Sequence, residues 1–147
     1  MLDVLSRNIF YPLWDIKDKS SKLRHARELE KRQWLSLDEL KASQWDSLKR
    51  TIENAYQNSP YYAARFKSLG ITPADIKTPD DYLKFPVTTK LDIRNNTDQF
   101  ISDNYSKSDL VIAKTGGSTG VSLDLYFDEV CQERRNAAAI RSDRWAG

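Results

Sequence analysis

Apolar positions along this chain follow two periods. From Leu37 onward, Leu40, Trp45, Leu48, Ile52, Ala55 and Tyr56 recur mostly at helical spacing, and Ser36 with Glu39 stands where a capping box would open a helix. This is the best-marked helix of the sequence. Asn58 or Ser59 ahead of Pro60 starts a shorter one, which Gly70 ends after Phe66 and Leu69; its expected span is Pro60 to Leu69, with Tyr61, Tyr62 and Phe66 as core. Pro73, Pro79 and Pro86 then leave room only for helical turns around Asp75, Asp80 to Leu83, and Thr89 to Asn95, a folded but irregular connector.

After Asp109 the period shortens. Leu110, Val111, Ile112 and Ala113 suit a buried strand, while Leu123, Leu125 and Phe127 alternate with Asp124 and Tyr126 as a half-buried strand does. Asp128 is positioned to cap a last helix from about Glu129 to Trp145, with Val130, Ala137 and Ile140 as its apolar stripe and Arg134, Arg141 and Arg144 elsewhere. Ahead of all this, Met1 to Asp15 carries Leu2, Val4, Leu5, Ile9, Phe10, Tyr11, Leu13 and Trp14 without a clean period and reads as a docking segment. Lys17, Lys19, Lys22, Arg24, Arg27, Lys31 and Arg32, opposed by Asp18, Glu28 and Glu30, read as a solvated helix, with a polyanion-binding patch as the alternative. The expected fold class is α/β in the α+β sense. A mainly helical region over 1–108 leads into strand, glycine-rich loop, strand and helix over 109–147.

Composition narrows the classes of function. A chain of 147 residues with 39% hydrophobic positions can bury a core, and its mean hydropathy of −0.67 implies a large wet surface. The net charge of +2 lacks the surplus of a dedicated nucleic-acid binder. One cysteine, Cys131, and one histidine, His25, exclude an internal disulfide and the usual zinc ligand sets. No stretch has the length of a signal-peptide core or a membrane span, so the expectation is a cytoplasmic chain with no membrane contact.

The candidate chemistry lies between the two expected strands. Thr115, Gly116, Gly117, Ser118, Thr119 and Gly120 are consecutive residues that are all glycine or hydroxyl-bearing. Such a loop lets the backbone approach a polyphosphate, with successive N–H groups and the Ser118 and Thr119 hydroxyls as donors. A Walker A loop is excluded, because Gly120 is followed by Val121 and a strand-like alternation instead of Lys and a helix. The alternative is a hairpin whose turn is glycine-rich, since glycine and serine are ordinary turn residues.

This loop resembles the Ser/Thr/Gly-rich nucleotide phosphate loop of the adenylate-forming enzymes, within the branch of phenylacetate-coenzyme A ligase and the CapK-type capsular polysaccharide biosynthesis proteins. Asn58-Ser59-Pro60-Tyr61-Tyr62, Gly70 with Asp75-Ile76, Pro86-Val87-Thr88-Thr89-Lys90 with Asp92-Ile93-Arg94, then Arg141 and Trp145-Ala146-Gly147, follow the order of that family's N-terminal region. The likeness runs from about Trp34 to the last residue. Two departures stand out. Val121 and Ser122 replace the Lys-Pro that many relatives carry after the loop, and Gly116 replaces a serine.

The resemblance implies the start of a sheet-containing adenylate-forming domain belonging to a larger enzyme. Its reaction is attack of a small carboxylic acid on the α-phosphate of ATP, with Mg²⁺, giving an acyl adenylate that the thiol of coenzyme A then intercepts. Thr115 to Gly120 would hold the nucleotide. No catalytic base, nucleophile or metal ligand carries over, and the 147 residues by themselves are expected not to complete the adenylation.

Other residues weigh less. His25 reads as a solvated helix residue and Cys131 as a small packed one. Lys90 and Arg94 read equally as surface charges or as anion contacts, and Arg134 and Arg141, seven apart, as contacts to a phosphate or to a carboxylate from elsewhere in a larger protein. A second class of function stays open, a non-catalytic interaction or dimerisation module. Exposure of Leu123, Leu125, Phe127 and Trp145 is expected to accompany a homodimer.

Overall fold

The computed structural model describes residues 5, 9–116 and 122–146. Its helices in chain order are α1 (Tyr11–Lys17), α2 (Lys22–Arg32), α3 (Leu37–Asn58), α4 (Pro60–Leu69), α5 (Pro79–Tyr82), α6 (Lys90–Asn95), α7 (Thr97–Phe100) and α8 (Glu129–Ala146). Turns of 3₁₀ helix occur at Pro73–Asp75 and Lys107–Asp109, and β1 (Val111–Lys114) pairs with β2 (Asp124–Phe127) in a two-stranded antiparallel sheet. The class is the expected mainly helical α+β. Two compact units divide the chain, one of residues 1–36 with 127–147 and one of 37–126.

In the unit of 37–126 the helical pattern reads out directly. Ile52, Phe66 and Ile76 are buried together, with Trp45, Leu48, Tyr56, Ile71 and Phe85 packed against them. Phe66 meets Tyr56 edge-on at 5.1 Å and Phe85 at 4.5 Å between ring centroids. Gly70 ends α4 with φ of 67°, the left-handed conformation that glycine adopts without penalty. Tyr61 and Tyr62 are half-buried around Phe100, with Tyr61 stacked on it at 3.9 Å. The Ser59 hydroxyl donates to the Gln99 carbonyl at 3.1 Å, and the Asp103 N–H to the Asn58 carbonyl at 2.7 Å. These bonds hold the connector against the α3–α4 junction.

The connector owes its order to one device used three times. At Thr72–Asp75, Thr78–Asp81 and Thr89–Asp92, the aspartate carboxylate accepts the threonine N–H at 2.8, 3.0 and 2.8 Å and its hydroxyl at 2.8, 2.8 and 2.7 Å. Each closes a helical turn too short to persist by propagation alone.

In the unit of 1–36 with 127–147, α2 packs along α8. Ala26 and Ala137 are fully buried, small residues of the kind that let two helices approach. One Glu133 carboxylate oxygen accepts the Ser20 hydroxyl and the Ser21 N–H, both at 2.6 Å; Arg144 pairs with Glu30, and Trp145 Nε1 donates to Gln33 at 2.7 Å. Asp128 caps α8 as expected, accepting the Cys131 N–H at 2.5 Å.

Three expectations need correction. Leu110–Ala113 is not a buried strand: Val111 and Ile112 are 47% and 54% exposed, because a sheet of two strands supplies no layer over β1 among the described residues. Val130 leaves the apolar stripe of α8 and is exposed, whereas Ala137 is buried and Ile140 half-buried. Finally, Leu123 is buried and Leu125 and Phe127 are half-buried, Phe127 beneath the Arg135 guanidinium at 4.2 Å; of that set Trp145 is exposed.

Candidate functional site

The glycine-rich segment lies in sequence between β1 and β2, and the facing ends of the two strands are joined by a reciprocal pair. The Thr115 N–H donates to the Leu123 carbonyl at 3.0 Å while the Leu123 N–H donates to Thr115 Oγ1 at 2.9 Å. Ser122 Oγ donates to the Thr115 carbonyl at 2.8 Å, and one step down the strands Lys114 faces Asp124 at 3.4 Å. Leu123 anchors the closure because its side chain is buried. Thr115 therefore uses its N–H, its carbonyl and a lone pair of its hydroxyl to join the strand ends, and among the described residues its hydroxyl proton meets no acceptor.

Gly116 has ordinary backbone geometry, and a Cβ built on it meets no atom of the described residues within 4 Å. Among the described residues no packing demands glycine there. Gly117, Ser118, Thr119 and Gly120 lie outside the described residues, as does Val121. Among the described residues no group of three or more His, Cys, Asp or Glu comes together as metal ligands.

The remaining candidates fall into separate settings. Lys90 and Arg94 are exposed on α6, and Asp92 between them is committed to Thr89, whose hydroxyl and N–H hold its carboxyl below the usual range. His25 Nδ1 lies 3.2 Å from Glu28 one turn along α2, and Cys131 is half-buried in the first turn of α8. Arg134 is exposed, whereas Arg141 is half-buried with its guanidinium 4.7 Å above the Trp145 ring.

Pattern reading missed Glu133, which organises the start of α2 from α8. Its partners lie more than a hundred positions away in sequence, so no local spacing signals it. It also missed Lys107, whose ammonium pairs with Asp98 at 2.6 Å and sits 5.1 Å over the Tyr126 ring of β2, beside a hollow of about 340 Å³ lined by Ile101, Ser102, Asp103 and Tyr105. The Asp98 carboxylate holds that ammonium above the ordinary lysine range. The Thr-x-x-Asp spacing of the connector was, by contrast, in plain sight.

No protein-family model matches the chain. It is similar to phenylacetate-coenzyme A ligases from three organisms: 46% identical over 61 residues to that of Escherichia coli, 42% over 69 residues to that of Aromatoleum evansii, and 39% over 61 residues to that of Pseudomonas putida. The matches cover 42%, 47% and 42% of this chain and 14%, 16% and 14% of the relatives. The chain thus spans about a seventh of the length of the curated relatives it matches. No described helix is long and apolar enough to cross a membrane.

Proposed function

We propose that this chain is the N-terminal part of an ATP-dependent acid–thiol ligase of the phenylacetate-coenzyme A ligase kind, with residues 115–120 as its phosphate loop. The observation that carries the reading is the similarity to three such ligases, at 39% to 46% identity. The strand ends support it: Thr115 and Leu123 are hydrogen-bonded to each other on either side of the segment, so its two ends are held together.

In this reading ATP supplies an electrophilic α-phosphate. The substrate carboxylate attacks it with loss of pyrophosphate, and a coenzyme A thiol then displaces AMP. The chain's own task is to orient the outer phosphates through the backbone N–H groups of 116–120 and the hydroxyls of Ser118 and Thr119, while Thr115 fixes the loop's entry. Mg²⁺ arrives with the nucleotide. Catalytic groups come from other parts of the enzyme, and 147 residues alone hold nucleotide without completing adenylation. The capsular-polysaccharide branch of the resemblance belongs to the same proposal, with the acid unnamed.

The test is thermal unfolding with Mg-ATP. Binding to the folded chain alone stabilises it by about 2.7 kcal/mol at a hundredfold excess over the dissociation constant. The shift is expected to vanish in Gly117→Val and in Ser118→Ala with Thr119→Ala. An unchanged midpoint at saturating Mg-ATP, or a shift that survives these changes, refutes the loop assignment.

A further inference from the structure

The ladder between β1 and β2 ends irregularly. In a regular antiparallel pair, two facing residues of the hydrogen-bonded kind exchange N–H to carbonyl bonds in both directions. Thr115 and Leu123 make one of the two, from the Thr115 N–H to the Leu123 carbonyl at 3.0 Å. The Leu123 N–H turns instead to Thr115 Oγ1 at 2.9 Å, and the Thr115 carbonyl, its partner in the regular pattern, accepts the Ser122 hydroxyl at 2.8 Å. Two side-chain hydroxyls thus stand in the place of one backbone bond. A turn that only reverses the chain needs no such substitution, because backbone groups complete a two-stranded ladder whatever the side chains.

We infer that Ser122 is a positioning residue for the nucleotide, acting through the Thr115 carbonyl to keep the two ends of 116–121 together. The inference rests on the phosphate-loop reading above. Ser122 is not itself placed as a phosphate donor, since its hydroxyl proton is given to Thr115. Its side chain is exposed, so burial does not account for it, and pattern reading registers it only as a departure from the loop the segment resembles.

The argument concerns the ends alone. A segment whose ends part has to bring them back before its donors can act on one ligand, and the entropy lost in doing so weakens binding. Little else among the described residues joins these ends. The sheet is two strands of four residues, with Val111 and Ile112 of β1 47% and 54% exposed, and two-stranded sheets are marginal by themselves. The Lys114–Asp124 pair one step down is 3.4 Å long and open to screening by solvent. One hydrogen bond at this end therefore moves the fraction of chains with their ends joined, and apparent affinity scales with that fraction.

Isothermal titration of the full chain with Mg-ATP, together with amide hydrogen exchange at Thr115 and Leu123, tests the inference. Ser122→Ala is expected to raise the dissociation constant about two- to tenfold, the range of one intramolecular hydrogen bond, and to speed exchange of both amides. Ser122→Thr, which keeps the hydroxyl, is expected to stay within about twofold of the native chain in both readouts. Circular dichroism checks that each variant keeps its helices. Native affinity in Ser122→Ala overturns the inference, as does unchanged exchange, or a loss that Ser122→Thr shares in full. A native chain that takes no Mg-ATP overturns it too, and marks the phosphate-loop reading as the cause when the exchange difference between native chain and Ser122→Ala persists without nucleotide.

Discussion

Replacing Glu133 by Gln removes one charge from the point where α8 meets the start of α2, and the loss is calculable. A single carboxylate oxygen accepts the Ser20 hydroxyl and the Ser21 N–H at 2.6 Å, with the Ser21 hydroxyl at 3.4 Å. It thereby does for α2 what an N-cap side chain does, and adds negative charge at the positive end of the helix. Loss of a cap costs about 0.5–2 kcal/mol, and a charge at a helix end contributes roughly 0.3–1 kcal/mol when exposed to water. Glu133 is half-buried and screened, and the amide oxygen of Gln still accepts one bond, so about 1–2 kcal/mol is expected at pH 7.

The pH dependence separates charge from packing. The Ser20 hydroxyl bond holds the Glu133 carboxyl below its ordinary value, outweighing desolvation, with the Ser21 N–H adding in the same direction. The folded state therefore binds its proton less readily than the unfolded one. The stabilisation is present above the ordinary glutamate range, near about pH 4.3, and disappears as pH falls through the lowered folded value. Urea unfolding of the native chain and Glu133→Gln at pH 7 and in acid measures it, and exchange of the Ser21 amide proton reports it locally. The gap should be full at pH 7 and close in acid. A gap of equal size at both pH values, or none at pH 7, refutes the argument.

Further predictions rest on other parts of the fold. Phe66→Ala, at a side chain 2% exposed between Tyr56 and Phe85, should cost about 3–5 kcal/mol in urea unfolding followed by the half-buried Trp45, whereas Val111→Ser should cost under about 0.5 kcal/mol. Gly70→Ala should cost about 1 kcal/mol by the same measurement, since the site is open but its φ of 67° is left-handed. In carboxyl NMR titrations, Asp81, held down first by Lys84 and then by Thr78, should titrate well below the ordinary aspartate range, and Lys84→Ala should move it upward. The order this pair lends to the connector is thus present at neutral pH and lost as pH falls through the lowered value. Intact mass of the product from the native locus should be several times 17.0 kDa; a 17.0 kDa product would contradict the proposed ligase.

Local grammar was readable wherever the determinants were local. Ser59-Pro60 and Gly70 bracket α4 because proline fits the first helical turn and glycine the left-handed stop, and Asp128 caps α8 for reasons contained in four residues. What escaped the pattern was pairing at a distance. Seven basic residues over Lys17–Arg32 read as solvated, yet Ala26 among them is buried, since α8 supplies the opposite face. The apolar run Leu110–Ala113 read as a buried strand because apolarity signals what burial would favour and not which layer is there to provide it. Of the candidate site, the hairpin and its hydroxyl-rich entry were legible; the reciprocal Thr115–Leu123 closure needed the strand register, which alternation alone leaves open.

The pairing of α2 with α8 also sets a timetable for synthesis. Residues 37–126 form a contiguous unit that can assemble as soon as it has emerged, whereas α2 must wait for its mate until that whole unit has been made. At about 5–20 residues per second, the roughly 110 residues between Ser20 and Glu133 take on the order of 6–20 s to translate. Throughout that interval a strongly charged helix, too short to be stable alone, stands without its partner, next to a segment whose Phe10, Tyr11 and Trp14 are exposed even in the finished fold. Repulsion among the seven basic residues over Lys17–Arg32 opposes self-association of that segment until α8 is available.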